Sequence, residues 1–139
     1  MKHVLHNPVF NALSSGDKQL SLGTDAVKFF DETVSPFAGF EESYTKGFAD
    51  LHELLPPGRK ILYAIPTPIT LPTGWQVQHE IKGLQFVYEG DLTIKNEFDN
   101  VVPLTEMHIE EMVALATLTK PGPFATGTIK FGFYHGIFD

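Results

Sequence analysis

The sequence contains no cysteine, which removes disulfide frameworks, thiolate metal sites and cysteine nucleophiles in one step. Cations are also scarce. Arg59 is the single arginine, and ten Lys and Arg face seventeen Asp and Glu, for a formal net charge of −7. Proteins that track a phosphate backbone need clustered cations to displace counterions. No such cluster exists here, so nucleic acid is not an expected partner, and the charge reads as ordinary solubility. Long apolar runs are missing too: no stretch approaches the ~18 residues that would span a bilayer. The opening Met1-Lys2-His3-Val4-Leu5-His6-Asn7-Pro8 has no apolar signal-peptide core. The expectation is a cytoplasmic chain without a membrane partner.

Two further absences bear on chemistry. There is no Gly-x-Gly-x-x-Gly and no Gly-x-x-x-x-Gly-Lys-Ser/Thr, the loops that turn consecutive backbone N–H groups toward a nucleotide phosphate. The six histidines, His3, His6, His52, His79, His108 and His135, form neither a His-Glu-x-x-His motif nor a paired helical metal site. They read as surface or structural residues, and no metal is expected. Glu41/Glu42, Glu110/Glu111 and Glu106 are explained by the preference of helix N-termini for negative charge. No residue is assigned a catalytic or cofactor-binding role.

What is present is apolar material for a core. Hydrophobic residues make up 42% of the chain, and twelve residues are Phe; a chain near this size buries roughly two-thirds of its unfolded surface. Phe29, Phe30, Phe37, Phe40, Phe48 and Trp75 are the expected aromatic core. Asn7-Pro8 predicts a helix start, with Pro at the first position where its missing N–H is harmless; Ser14-Ser15-Gly16-Asp17 ends it. Gln19 to Phe30 reads as two short strands around Gly23-Thr24-Asp25. Val34 to Phe40 reads as an irregular connection.

Tyr44, Phe48, Leu51 and Leu55 fall on one face of a helix predicted over 41–55, stopped by Pro56-Pro57-Gly58. Lys60 to Ile65 suggests a buried strand and 66–74 a loop. Trp75 to Ile81 and Leu84 to Tyr88 alternate apolar and polar residues, predicting a hairpin or consecutive antiparallel strands. The polar stretch 91–100 reads as a linker. Beyond it, Thr105 is a plausible N-cap, and Ile109, Met112, Val113 and Ala116 mark a second amphipathic helix. That helix breaks at Lys120-Pro121-Gly122-Pro123, and Phe131 to Phe138 reads as a final strand.

Three segments of the first half carry a family resemblance: Asn7-Pro8-Val9-Phe10-Asn11-Ala12-Leu13, Leu20-Ser21-Leu22-Gly23 and Val34-Ser35-Pro36-Phe37-Ala38. In that order they resemble the opening of bacterial GNAT-family N-acetyltransferases with an FR47-like C-terminal half. Leu118-Thr119-Lys120-Pro121-Gly122-Pro123-Phe124 and Gly132-x-Tyr134-x-Gly136-Ile137 are similar to the start of that family's second half. The resemblance implies an α+β fold, with a mixed, mainly antiparallel sheet flanked by helices. It also implies a degenerate N-terminal lobe over 1–100, followed over 101–139 by the first strand, helices and second strand of a catalytic lobe.

In complete family members an amine attacks the thioester of acetyl-CoA, whose pyrophosphate rests on backbone amides at a helix N-terminus. Those amides belong to an Arg/Gln-x-x-Gly-x-Gly/Ala turn. No such turn occurs in positions 1–139, so no cofactor is expected on this chain, and the expectation is a front portion inactive by itself. Only Lys120, Pro121, Gly122, Pro123 and Phe124 match a region bordering the acceptor-substrate side. The expected partner is the missing C-terminal GNAT lobe, or another copy of the chain, joined through an unpaired strand Phe131–Phe138. The alternative reading is a stand-alone, non-catalytic binding or dimerisation module derived from the same fold.

Overall fold

The computed structural model describes residues 3–91 and 99–138. Its centre is a three-stranded antiparallel sheet, β1 (Leu22–Gly23), β2 (Val27–Phe29) and β3 (Ala38–Phe40), in that spatial order. The register sets Val27 opposite Phe40 and Phe29 opposite Ala38. All four side chains therefore share one face. Against that face packs helix α2 (Gly47–Leu54), which contributes Leu51, with Leu55 just beyond its end. Phe48, Tyr63 and Trp75 close this core from the side: Tyr63 stacks on Phe40 at 4.9 Å, and Phe48 meets Trp75 at 5.6 Å. The Trp75 indole N–H donates to the Phe48 carbonyl at 2.9 Å, which gives the ring's polar edge a partner.

The opposite face of the sheet carries helix α1 (Pro8–Ser14). Gly39 is what permits the approach: a Cβ there would stand 2.9 Å from the Phe10 backbone nitrogen. Val9 and Leu13 of α1 bury with Phe30 and Val34, and Phe37 and Phe131 lie around them. Asn7 precedes α1 as expected, but its side chain does not cap the helix. Its amide instead donates to the Phe40 carbonyl at 2.7 Å, tying the start of α1 to the end of β3. The cap was outcompeted by a tertiary bond.

Several expectations change. Val34 to Phe40 is not irregular throughout, since Ala38-Gly39-Phe40 is a strand buried at every residue. A strand covered on both faces has no alternation to read. The 41–55 helix shortens to Gly47–Leu54, with turns before it; Glu41 and Glu42 are thus not at a helix start. Gly47 sits where a methyl would overlap the Phe40 ring. The Lys60 to Ile65 strand is reduced to one parallel bridge between Phe37 and Leu62, which makes the sheet mixed at its edge.

The two alternating runs at Trp75 to Ile81 and Leu84 to Tyr88 form no strand, and residues 76–90 are exposed throughout. Most of the expected 91–100 linker lies outside the described residues.

The last part of the chain contributes β4 (Val102–Pro103), helix α3 (Ile109–Thr119) and β5 (His135–Gly136). β4 and β5 pair antiparallel. The final strand is therefore shorter than Phe131–Phe138, and it is paired on one side; Phe131 belongs to a 3-10 turn over Thr128–Phe131. That turn docks onto the first core. Gly127 N–H donates to the Thr33 carbonyl at 2.8 Å, the Thr128 hydroxyl to the Val34 carbonyl at 2.8 Å, and Phe131 meets Phe30 edge-on at 5.2 Å.

Candidate functional site

The segment Lys120 to Phe124 owes its position to how α3 begins and ends. At the beginning, the Thr105 N–H donates to His108 Nδ1 at 2.9 Å. This satisfies one of the donors that a helix start leaves open. At the end, Lys120 adopts the left-handed conformation (φ 50°, ψ 51°), and its N–H returns to the Ala116 carbonyl at 2.8 Å. Glycine is the usual residue there because it has no Cβ to clash. Here Lys120 takes that conformation, and the prolines at 121 and 123 prevent the helix from resuming.

Lys120, Pro121, Gly122 and Pro123 are exposed. Phe124 turns inward, half-buried, and meets the Tyr134 ring edge-on at 6.0 Å. Thr128 Oγ1 then accepts the Ala125 N–H at 2.9 Å, so the loop is held at its far end by the same residue that docks on Val34. Of the five residues singled out from sequence, the structure brings Phe124 into a side-chain cluster and leaves the other four on the surface. Tyr134 and Thr128 had no assigned role. Tyr134 fell within the quoted Gly132-x-Tyr134-x-Gly136 pattern, whereas nothing local marks Thr128.

Burial raises the Tyr134 phenol above its ordinary value. Just before it, Phe133 has φ 59° with its ring 97% exposed. A bulky side chain in that conformation is uncommon. The loop as a whole offers a lysine, an aromatic pair and the carbonyl end of α3, where the helix dipole is negative. Neither of the two depressions described below is lined by this loop.

An acyl-CoA cofactor would need oriented backbone N–H donors for its pyrophosphate. The described helix starts do not fit that need. α1 begins at Pro8, which has no N–H, and α2 carries Asp50 in its first turn. α3 is preceded by Glu106, carries Glu110 and Glu111 in its own first turn, and has Thr105 N–H already bonded to His108. Anion repulsion at these ends opposes phosphate. A shallow open depression of about 750 Å³ beside α1 is lined by His3, His6, Asn7, Glu41 and Glu42 among others, and its two carboxylates are again wrong for an anionic ligand. A second, of about 450 Å³, lies over the β1–β2 turn between Lys18 and Lys28, two surface lysines without a built anion site. Among the described residues no group of three or more His, Asp or Glu could hold a metal ion, and no helix is long and apolar enough to cross a membrane.

No protein-family model and no curated protein matches this chain. A solved structure does. The crystal structure of a protein assigned as an acetyltransferase of the GNAT family, from Novosphingobium aromaticivorans DSM 12444, superimposes with a TM-score of 0.81 at 26% identity. The fold is GNAT-like. The match covers 99% of this chain but 60% of that one, so the chain spans somewhat over half the length of its structural neighbour. The GNAT-like architecture agrees with the mainly antiparallel, helix-flanked sheet expected from sequence.

Proposed function

We propose that residues 1–139 are the front portion of a GNAT-type N-acyltransferase, whose complete form moves an acetyl group from acetyl-CoA to an amine. In this reading residues 1–100 are a degenerate lobe. Residues 101–139 open the catalytic lobe, and the loop Lys120 to Phe124 faces the acceptor. The observation that supports it most is the match of nearly the whole chain to one GNAT-family structure at a TM-score of 0.81. The poor fit of the described helix starts to a pyrophosphate supports the further point that these residues alone do not carry the cofactor.

Two measurements test the reading. Acetyl-CoA titrated calorimetrically into the 139-residue chain is expected to give no heat of binding; micromolar affinity overturns the assignment of the cofactor site to other residues. The coding DNA beyond Asp139 is expected to continue in frame into an Arg/Gln-x-x-Gly-x-Gly/Ala turn. A stop codon directly after Asp139 would favour the stand-alone binding module instead.

A further inference from the structure

The two alternating runs, Trp75 to Ile81 and Leu84 to Tyr88, are strand-like in sequence and unpaired in the fold. Ile81, Leu84 and Phe86 are 85%, 86% and 89% exposed. Among the described residues, no backbone–backbone hydrogen bond involves positions 77–88. The composition is not that of a solvated linker: Trp75, Val77 and Ile81 would share one face of a strand, with His79 among them, and Leu84, Phe86 and Tyr88 would share one face of the next. The segment leaves the core at Trp75, whose indole is bonded to Phe48, so its start is fixed against α2. An anchored, alternating segment whose backbone groups have no backbone partner among the described residues is suited to pairing with a further strand.

We infer that residues 77–88 are the docking edge for strands of the remaining GNAT lobe, which adds to them by backbone pairing and covers Ile81, Leu84 and Phe86. This deepens the reading above and rests on it. The occupant is argued from the structural neighbour: it matches 99% of this chain, the 77–88 segment within it, and has a large remainder beyond the matched part. A second copy of the chain is the weaker candidate. Each copy carries a net charge of −7, and that repulsion between whole chains opposes self-association, although Glu80 and Lys82 within the segment offset each other. The docking edge is distinct from the final strand, which is already paired through β5 with β4.

The test joins the unmatched remainder of the Novosphingobium chain to Asp139 and compares amide exchange with that of the 139-residue chain. Positions 77–88 should exchange freely in the bare chain and slow by about 100-fold or more in the fusion. In the bare chain, Leu84→Lys with Phe86→Lys should leave the unfolding midpoint unchanged; a clear loss of stability means that the face packs within the chain and overturns the inference, whether or not the fusion folds. Slow exchange in the bare chain accompanied by a dimer mass makes a second copy the occupant and overturns it as well. So does fast exchange in a folded fusion. Protection without acetyl-CoA binding by the fusion would sink the acyltransferase reading alone, whereas acetyl-CoA binding with 77–88 unprotected would sink the docking edge alone.

Discussion

The Thr128 hydroxyl donates to the Val34 carbonyl at 2.8 Å, across 94 positions of sequence, and both residues are buried. The same oxygen accepts the Ala125 N–H at 2.9 Å. Thr128 thus holds the loop after Lys120 in shape and fastens it to the core beneath β2. Thr128→Val keeps the volume but orphans a buried carbonyl and a backbone N–H. It is expected to cost about 1–3 kcal/mol, read from urea unfolding. Thr117→Val removes a hydroxyl bonded only to the exposed Val113 carbonyl of its own helix and should stay within about 0.5 kcal/mol. Equal effects from the two would mean that the Thr128–Val34 bond does not join the segment to the core.

Elements whose signals are local were legible in the sequence. Pro8 at the first helical position, the turn at Gly23-Thr24-Asp25 and the Pro-Gly break after α3 all depend on residues close in the chain, and all appear. Elements decided by distant partners were not. β3 is buried on both faces because α1 closes over Gly39, and no periodicity records that. Residues 75–88 show the converse: their alternation is clear, yet a strand forms only when another strand supplies the hydrogen bonds, and none is supplied among the described residues. The candidate loop was visible as a helix stop, but its anchoring through Thr128 and Tyr134 was not, because both partners lie elsewhere in the chain.

Gly47 gives a second expectation. It opens α2 directly over the Phe40 ring, and an added methyl would overlap that ring. Gly47→Ala should therefore destabilise the chain by about 1–3 kcal/mol through overpacking, although alanine is the better helix former. Gly16 has nothing within 4 Å of an added Cβ, and Gly16→Ala should be close to neutral. Thermal unfolding of the two variants separates them; a stabilised Gly47→Ala would show that α2 does not seat on Phe40.

The first core rests on Leu51, which is fully buried between β2, β3 and the aromatic cluster. Leu51→Ala is expected to cost about 2–5 kcal/mol, the range for cavity formation at a buried leucine. Leu118 lies on α3 at 80% exposure, and Leu118→Ala should change stability by no more than about 0.5 kcal/mol. Denaturant midpoints at constant slope test both, and similar losses at the two sites would contradict the placement of the core on the α2 side of the sheet.

Tyr63 makes stability sensitive to alkali. Burial, with a smaller contribution from the nearby Glu42 carboxylate, pushes its phenol from an ordinary value of 10.0 up to about 12. The folded state thus holds the proton more tightly than the unfolded state does. Stability from this group is fully present below the unfolded value near 10, falls as pH rises between there and about 12, and is gone above it. Urea midpoints should therefore decline across that window, while phenolate absorbance in the folded protein lags behind that of the denatured chain. Tyr63→Phe keeps the stack on Phe40 and removes the titrating group, so it should flatten the Tyr63 part of the decline. An unchanged slope in that variant would assign the alkaline loss to other residues and remove Tyr63 as its cause.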